Sequence, residues 1–241
     1  MTQDLTGQVA IVTGGSDGIG LATAALLVRR GAKVVICGRR QEQLDIASAH
    51  IEAEGGNVEA VQLDVTDFPA FEALIADVAA RHGRLDMLVN NAMSVHYAPI
   101  SKLTLDHWRK DFAVNTEAVF VGTKAAMAVM AKQGKGSIVN ISSTTGIRAM
   151  ANYASYSASK AALIQFTAVA AMEGALKGIR VNAIVPGQVN TAATADFACL
   201  ALPQPSRGEG CFECAEHAGA ALLGHRFDQL LPAGIHCGRL V

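Results

Sequence analysis

The sequence has almost no excess of charge. Its 241 residues carry 20 Lys and Arg against 21 Asp and Glu, a formal net charge of −1 with seven histidines counted neutral. Nucleic acids and anionic membranes select basic surfaces, so neither partner is expected. No apolar run is long enough to span a bilayer. The opening Met1-Thr-Gln-Asp-Leu-Thr-Gly7 lacks a charged segment followed by an apolar one, so no signal peptide is expected. Cysteine is nearly missing from the first 190 residues, where only Cys37 occurs; the other four of the five stand at 199, 211, 214 and 237. That pattern is not a disulfide framework, and a reducing, cytoplasmic setting is expected. Repeats, low-complexity tracts and linkers are also missing before residue 190.

What is present is hydrophobic. Apolar residues make up 51% and charged residues 17%, which excludes disorder and leaves enough material for one full core. Short apolar runs alternate with helical stretches. Strands are expected at Gln8 to Thr13, Lys33 to Cys37, Val58 to Gln62, Met87 to Asn90, Ser137 to Ile141 and Arg180 to Val185. Helices are expected from the glycine run to Arg30, then over Gln41 to Glu54, Phe68 to His82, Thr104 to Gln133 and Tyr153 to Lys177, with Thr104 capping the fourth. Such alternation implies an α/β fold, a doubly wound parallel sheet with right-handed crossovers.

Tyr156 and Lys160 stand four residues apart at the head of an alanine-rich helix, with Ser143 thirteen residues upstream of the tyrosine. Residues i and i+4 share a helical face, so phenol and ammonium point into one cleft. A fixed ammonium favours the phenolate and is expected to lower the tyrosine pKa, giving a proton donor for an alcohol or ketone oxygen. Ser142 and Tyr153 are rivals. The spacing favours Ser143, and the residue four after Tyr153 is Ser157, so it has no lysine partner.

A second motif lies between the first strand and helix, Gly14-x-x-x-Gly18-x-Gly20. Glycine lets the backbone approach a pyrophosphate seated on a helix N-terminus. The end of the second strand should read the adenosine ribose. It holds Arg39 and Arg40 where a carboxylate would select the 2′-hydroxyl of NAD. Arginine suits a 2′-phosphate, so NADP(H) is favoured and NAD(H) is the alternative. Asp17 within the loop counts against this by adding negative charge.

With these residues in place, residues 5 to 191 resemble a classical short-chain dehydrogenase/reductase. Thr13-Gly14-x-x-x-Gly18-x-Gly20 is similar to the family's cofactor motif, and Asp64-Val65 to its adenine-contacting pair. Asn90-Asn91-Ala92 matches three positions of an Asn-Asn-Ala-Gly motif, with Met93 in place of the glycine. Asn115, Ser143, Tyr156 and Lys160 match its four active-site residues, and Pro186-Gly187-x-x-x-Thr191 the segment that closes on the nicotinamide. The resemblance implies a single Rossmann-type domain, with residues 1–191 as cofactor-binding and catalytic core. It implies cofactor contacts from Gly14, Ser16, Asp17, Gly18, Ile19, Gly20, Arg39, Arg40, Asp64, Val65, Asn91, Ala92, Tyr156, Lys160, Pro186, Gly187, Val189 and Thr191. It further implies hydride transfer at the nicotinamide C4. Tyr156 would act as general acid or base, Ser143 would hydrogen-bond the substrate oxygen, Lys160 would hold the nicotinamide ribose, and Asn115 would support a water relay. Homo-oligomers, tetramer or dimer, are the family's habit. No metal site is expected in this core.

The substrate is less legible. His96 and Tyr97 are candidate contacts after the fourth strand, and the small apolar residues after Thr191 point to a ketone or secondary alcohol of apolar character. Residues 192–241 depart from the family pattern and show no clear seventh strand. Three readings stay open: a diverged tail of the same domain, a metal site at Cys211, Cys214 and His217, and a shifted reading frame. An altered tail leaves a further alternative, a cofactor-binding protein with impaired turnover.

Overall fold

The structure is a computed structural model that describes residues 4–189 and Thr191. The three readings of the C-terminal segment lie outside the described residues. Six strands alternate with helices: β1 (Val9–Thr13), α1 (Gly18–Arg29), β2 (Lys33–Gly38), α2 (Gln41–Ala53), β3 (Glu59–Gln62), α3 (Phe68–His82), β4 (Met87–Asn90), α4 (Leu105–Phe112), α5 (Ala118–Gln133), β5 (Gly136–Ile141), α6 (Ala154–Ala175) and β6 (Ile179–Ile184).

The strands form one parallel sheet in the order β3-β2-β1-β4-β5-β6. Side chains alternate across it. Ala10, Val12, Val34 and Ile36 pack with Leu27, Leu44 and Ile51 of α1 and α2. Val9, Ile11, Val35 and Leu88 pack on the other face with Phe71, Ile75 and Val78 of α3, Met130 of α5 and Ala170 of α6. Burial on both faces is why these strands read as continuous apolar runs rather than alternating ones. Asp67 starts α3 by accepting the Ala70 amide at 3.1 Å, and Gly83, at φ 70°, ends it. Thr104 caps α4 through the His107 amide at 3.1 Å, as the sequence predicts.

The long helix expected from Thr104 to Gln133 is not continuous. A π-turn, Ala113–Glu117, separates α4 from α5. Apolar periodicity carries no mark of one widened turn. Its physical anchor is Asn115, fully buried and bonded to another loop rather than to its own helix. The fold-level consequence is positional. Strand order reverses between β1 and β4, so the carboxyl ends of these two strands open a crevice between their diverging connections.

Candidate active site

The crevice holds two adjoining cavities. The first, about 250 Å³, lies over the β1–α1 loop and the end of β2. Its lining includes Gly14, Ser16, Asp17, Gly18, Ile19, Arg39, Arg40, Asp64, Val65, Asn91, Ala92 and Thr191, twelve of the expected cofactor residues. The loop is tied down from β4. Thr13 Oγ1 accepts the amides of Asn91 and Ala92 at 2.9 and 3.0 Å, and Asn91 Nδ2 donates to the carbonyls of Thr13 and Gly14, both at 3.0 Å.

Gly20 does not line this cavity but is what lets the loop close. A Cβ there would stand 2.3 Å from the Gly14 carbonyl oxygen, a backbone atom that cannot step aside. Gly14 itself sits at φ 62°. A Gly20→Ala protein should therefore fold with an opened loop and lose about tenfold or more in nicotinamide cofactor affinity, measured by fluorescence titration. Unchanged affinity would remove this loop from cofactor binding.

The carboxylates of the first cavity are already occupied. Asp17 Oδ1 caps α1 through the Gly18 amide at 2.6 Å. Asp64 Oδ1 accepts from the Thr66 amide at 2.9 Å and its hydroxyl at 2.8 Å. Among the described residues no carboxylate stands at the end of β2, where Arg39 and Arg40 are exposed at the cavity edge.

The second cavity, about 510 Å³, shares Ile19, Asn91, Met93 and Thr191 with the first. Tyr156 and Lys160 from α6, Ser143 from the end of β5, and Pro186, Gly187 and Val189 after β6 all face it. Its outer wall is apolar: Met93, Val95 and Tyr97 from the loop after β4, and Met150, Ala151 and Tyr153 before α6. Among the described lining residues Lys160 is the one cationic group.

Ser143 sits in extended backbone, φ −161°, at the head of a 3₁₀ turn, Thr144–Gly146. Its Oγ accepts from the Thr145 amide at 3.2 Å and the Thr145 hydroxyl at 3.1 Å. Both contacts are accepted, so the serine's own proton is left for the cleft that it shares with Tyr156. Gly146 allows this turn to lie on α6, since a Cβ there would come within 2.9 Å of the Lys160 carbonyl carbon. Ser142, the rival serine, is buried and donates to the Lys160 carbonyl at 3.0 Å. Its hydroxyl fastens the end of β5 to α6.

The electrostatics differ from the expectation drawn from helical spacing. Lys160 is 2% exposed, and its Nζ donates to the Ile141 carbonyl at 2.6 Å, with Nζ 5.7 Å from the centre of the Tyr156 ring. Burial lowers its pKa to about 7. The Tyr156 phenol is held above its ordinary value, chiefly by burial; Ser143 pulls it down, while Tyr153 and Asp111 push it up. The expected lowering of the tyrosine by its lysine is not what this arrangement produces. Desolvation penalises both charged forms, and it outweighs a cation that is itself close to half-neutral at pH 7.

Asn115 is completely buried in the π-turn. Its Oδ1 accepts the Ser94 amide at 2.9 Å, and its Nδ2 donates to the Ser94 carbonyl at 2.8 Å and to Ser159 Oγ at 3.0 Å. The side chain is thus fully engaged in holding the loop after β4 to α6. Asp111, one turn earlier, is not among the residues that the sequence motifs mark. It closes the run Arg109-Lys110-Asp111 that reads as a solvated helix face, yet it is 0% exposed. The available signal was its place four residues before Asn115, on the same helical face. His96 and Tyr97, the candidate substrate contacts, separate: Tyr97 lines the second cavity, and His96 turns away to Asp111.

The family model for short chain dehydrogenases matches residues 8–198. The chain is 41% identical over 196 residues to 2,5-dichloro-2,5-cyclohexadiene-1,4-diol dehydrogenase of Sphingobium indicum, covering 81% of this chain and 78% of that protein. It is 37% identical over 200 residues to cyclopentanol dehydrogenase of Comamonas testosteroni, covering 83% and 79%. Among solved structures, NAD+-bound xylitol dehydrogenase superposes with a TM-score of 0.77 at 32% identity, covering 81% of this chain and 75% of the other.

Proposed function

The chain belongs to the short-chain dehydrogenase/reductase family of oxidoreductases, and we propose that it transfers a hydride between NADP(H) and a neutral alicyclic ketone or secondary alcohol. The observation that carries this reading is the meeting of Ser143, Tyr156 and Lys160 in an apolar cavity that opens directly onto the glycine-loop cavity. The apolar wall supports an uncharged ring-bearing substrate, in keeping with the cyclic diol and cyclopentanol of the two named relatives.

The residues present fit a nicotinamide dinucleotide. The N-terminus of α1 and the glycine loop would hold the pyrophosphate. Asp64 and Val65 would flank the adenine. Asn91, Ala92, Pro186, Gly187, Val189 and Thr191 would hold the nicotinamide half, and Lys160 its ribose. The bound cofactor supplies or accepts the hydride at its nicotinamide ring. Tyr156 gives its phenolic proton to the carbonyl oxygen in reduction, or takes the alcohol proton in oxidation. Ser143 donates a hydrogen bond to the same oxygen as charge develops. With its pKa near 7, Lys160 exchanges a proton readily at neutral pH. Since the Asn115 side chain is fully engaged, its part in a relay to solvent falls to its backbone.

NADP(H) is preferred on the arginine pair and the absence of a carboxylate at the end of β2 among the described residues. NAD(H) is the second reading, supported by the NAD+-bound relative. Alanine at both Arg39 and Arg40 should lower the NADP(H)-to-NAD(H) ratio of kcat/KM by about 100-fold, mostly through KM for NADP(H). An unchanged ratio would transfer the preference to other residues. Exposed Phe120 on α5 and Val169 and Met172 on α6 support pairing of subunits through these helices. Scarcity of cysteine in the core supports a reducing compartment. No helix among the described residues is long and apolar enough to cross a membrane.

The test is a panel of cyclic and open-chain alcohols and ketones with both cofactors, following absorbance of the reduced nicotinamide. Turnover of neutral cyclic alcohols with NADP+ is expected. Cofactor binding without turnover of any alcohol or ketone would overturn the reading.

A further inference from the structure

The loop after β4 alternates. Met93, Val95 and Tyr97 face the second cavity, while Ser94 and His96 face back toward α4. Both of the inward residues end on Asp111. Its carboxylate accepts from Ser94 Oγ at 2.8 Å, the His96 amide at 3.2 Å, His96 Nδ1 at 2.7 Å and Ser155 Oγ at 2.5 Å. His96 Nδ1 donates either as the neutral Nδ1–H tautomer or as the imidazolium. A carboxylate with no exposure is costly unless its lone pairs are filled, and here four donors fill them.

Among the described residues the donors come from two segments. Ser94 and His96 belong to the substrate-side wall. Ser155 belongs to the first turn of α6, next to Tyr156 in sequence. The same two segments meet again on the solvent side. Ala98 N donates to the Asn152 carbonyl at 3.0 Å, Asn152 Nδ2 donates to the Tyr97 hydroxyl at 2.9 Å, and the Tyr97 and Tyr153 rings meet edge-on at 5.2 Å. Asp111 anchors this junction from inside. A valine or leucine would fill the position without its desolvation cost, so the carboxylate does something that packing alone does not require.

We propose that Asp111 is a positioning residue, a buried anion that sets the substrate-side wall against the first turn of α6 and so fixes where an alcohol sits relative to Tyr156. This rests on the oxidoreductase reading above. The geometry has an electrostatic corollary, because the same carboxylate disfavours the Tyr156 phenolate. The titratable groups around the pair are His96, His107 stacked on His96 at 4.4 Å, Tyr153, Tyr97 and Lys160.

The experiment compares wild type with Asp111→Asn and Ser155→Ala, the second removing one donor while leaving the buried carboxylate three contacts. Steady-state kinetics of alcohol oxidation are run across pH, beside amide hydrogen exchange of residues 94–98. Asp111→Asn is expected to raise KM for the alcohol about tenfold with KM for the cofactor within about twofold, to move the acid limb of kcat to lower pH, and to speed exchange in the loop. Ser155→Ala should raise the alcohol KM about threefold and speed the same exchange, and it carries the test if the asparagine protein does not fold. Wild-type alcohol KM, pH limb and loop exchange in the folded variants would overturn the proposal. An inactive wild type with loop exchange that still responds to the substitutions would overturn the oxidoreductase reading and leave the anchor intact.

Discussion

Tyr156→Phe should lower kcat for alcohol oxidation by about 1,000-fold while the cofactor dissociation constant stays within about twofold. The change removes one oxygen and keeps the ring that α6 packs into the cleft. What is lost is the group that takes the alcohol proton in oxidation. Among the described residues lining the cavity, no other phenol has a lysine one turn beyond it. Tyr153 also lines the wall, but no lysine stands one turn beyond it, and its phenol is likewise raised by burial. Stopped-flow turnover beside fluorescence titration of the cofactor separates the two effects. Turnover near the wild-type rate in the folded variant would remove Tyr156 from the chemistry. Because burial holds this phenol high, wild-type oxidation should also climb with pH through and above neutrality as the phenolate becomes accessible.

Lys160→Met is expected to act on both activity and stability, in opposite directions. Methionine fills the buried stem of the lysine but carries no proton and donates nothing to the Ile141 carbonyl. Turnover should fall by about 100-fold or more. The stability effect follows from the folded pKa of about 7, depressed by burial below the unfolded value of 10.5. Between these two values the unfolded chain binds more protons than the folded one, so stability rises with pH there. The contribution is complete above about 10.5 and is lost as pH falls toward 7; below that both states are protonated and the cost is constant. Relative to Lys160→Met, the wild-type protein should therefore gain on the order of 2 kcal/mol in unfolding free energy between pH 7 and pH 9. Urea denaturation of both proteins at the two pH values measures this. A pH-independent difference would show that the lysine is not desolvated as its burial implies.

The identity of Tyr156 and its pairing with Lys160 follow from four-residue spacing on a helix, which needs no tertiary knowledge. The direction of their pKa shifts does not. Spacing places phenol and amine on one face, but only packing sets how much water each loses. In this fold α6 lies against β5 closely enough to bury Lys160 and turn its Nζ to a backbone carbonyl.

A similar division runs through the whole chain. The order of strands and helices, the glycine loop, the arginines after β2 and the serine-tyrosine-lysine set were determined by the sequence itself, because each depends on local periodicity or on residue types at short spacing. Strand boundaries moved by a residue or so, within the fraying expected at any end. The tertiary structure decided what depends on contacts between distant segments. It turned the Ser142 hydroxyl onto the Lys160 carbonyl, where it fastens the end of β5 to α6. It widened the turn at Asn115, because that side chain bonds to Ser94 and Ser159, 21 and 44 residues away. It also buried Asp111, whose donors lie 15 to 44 residues away. In a polar run the one local sign of its burial is its place four residues before Asn115. Only the crossing of the β4 loop, α4 and α6 supplies the donors that make it stable there.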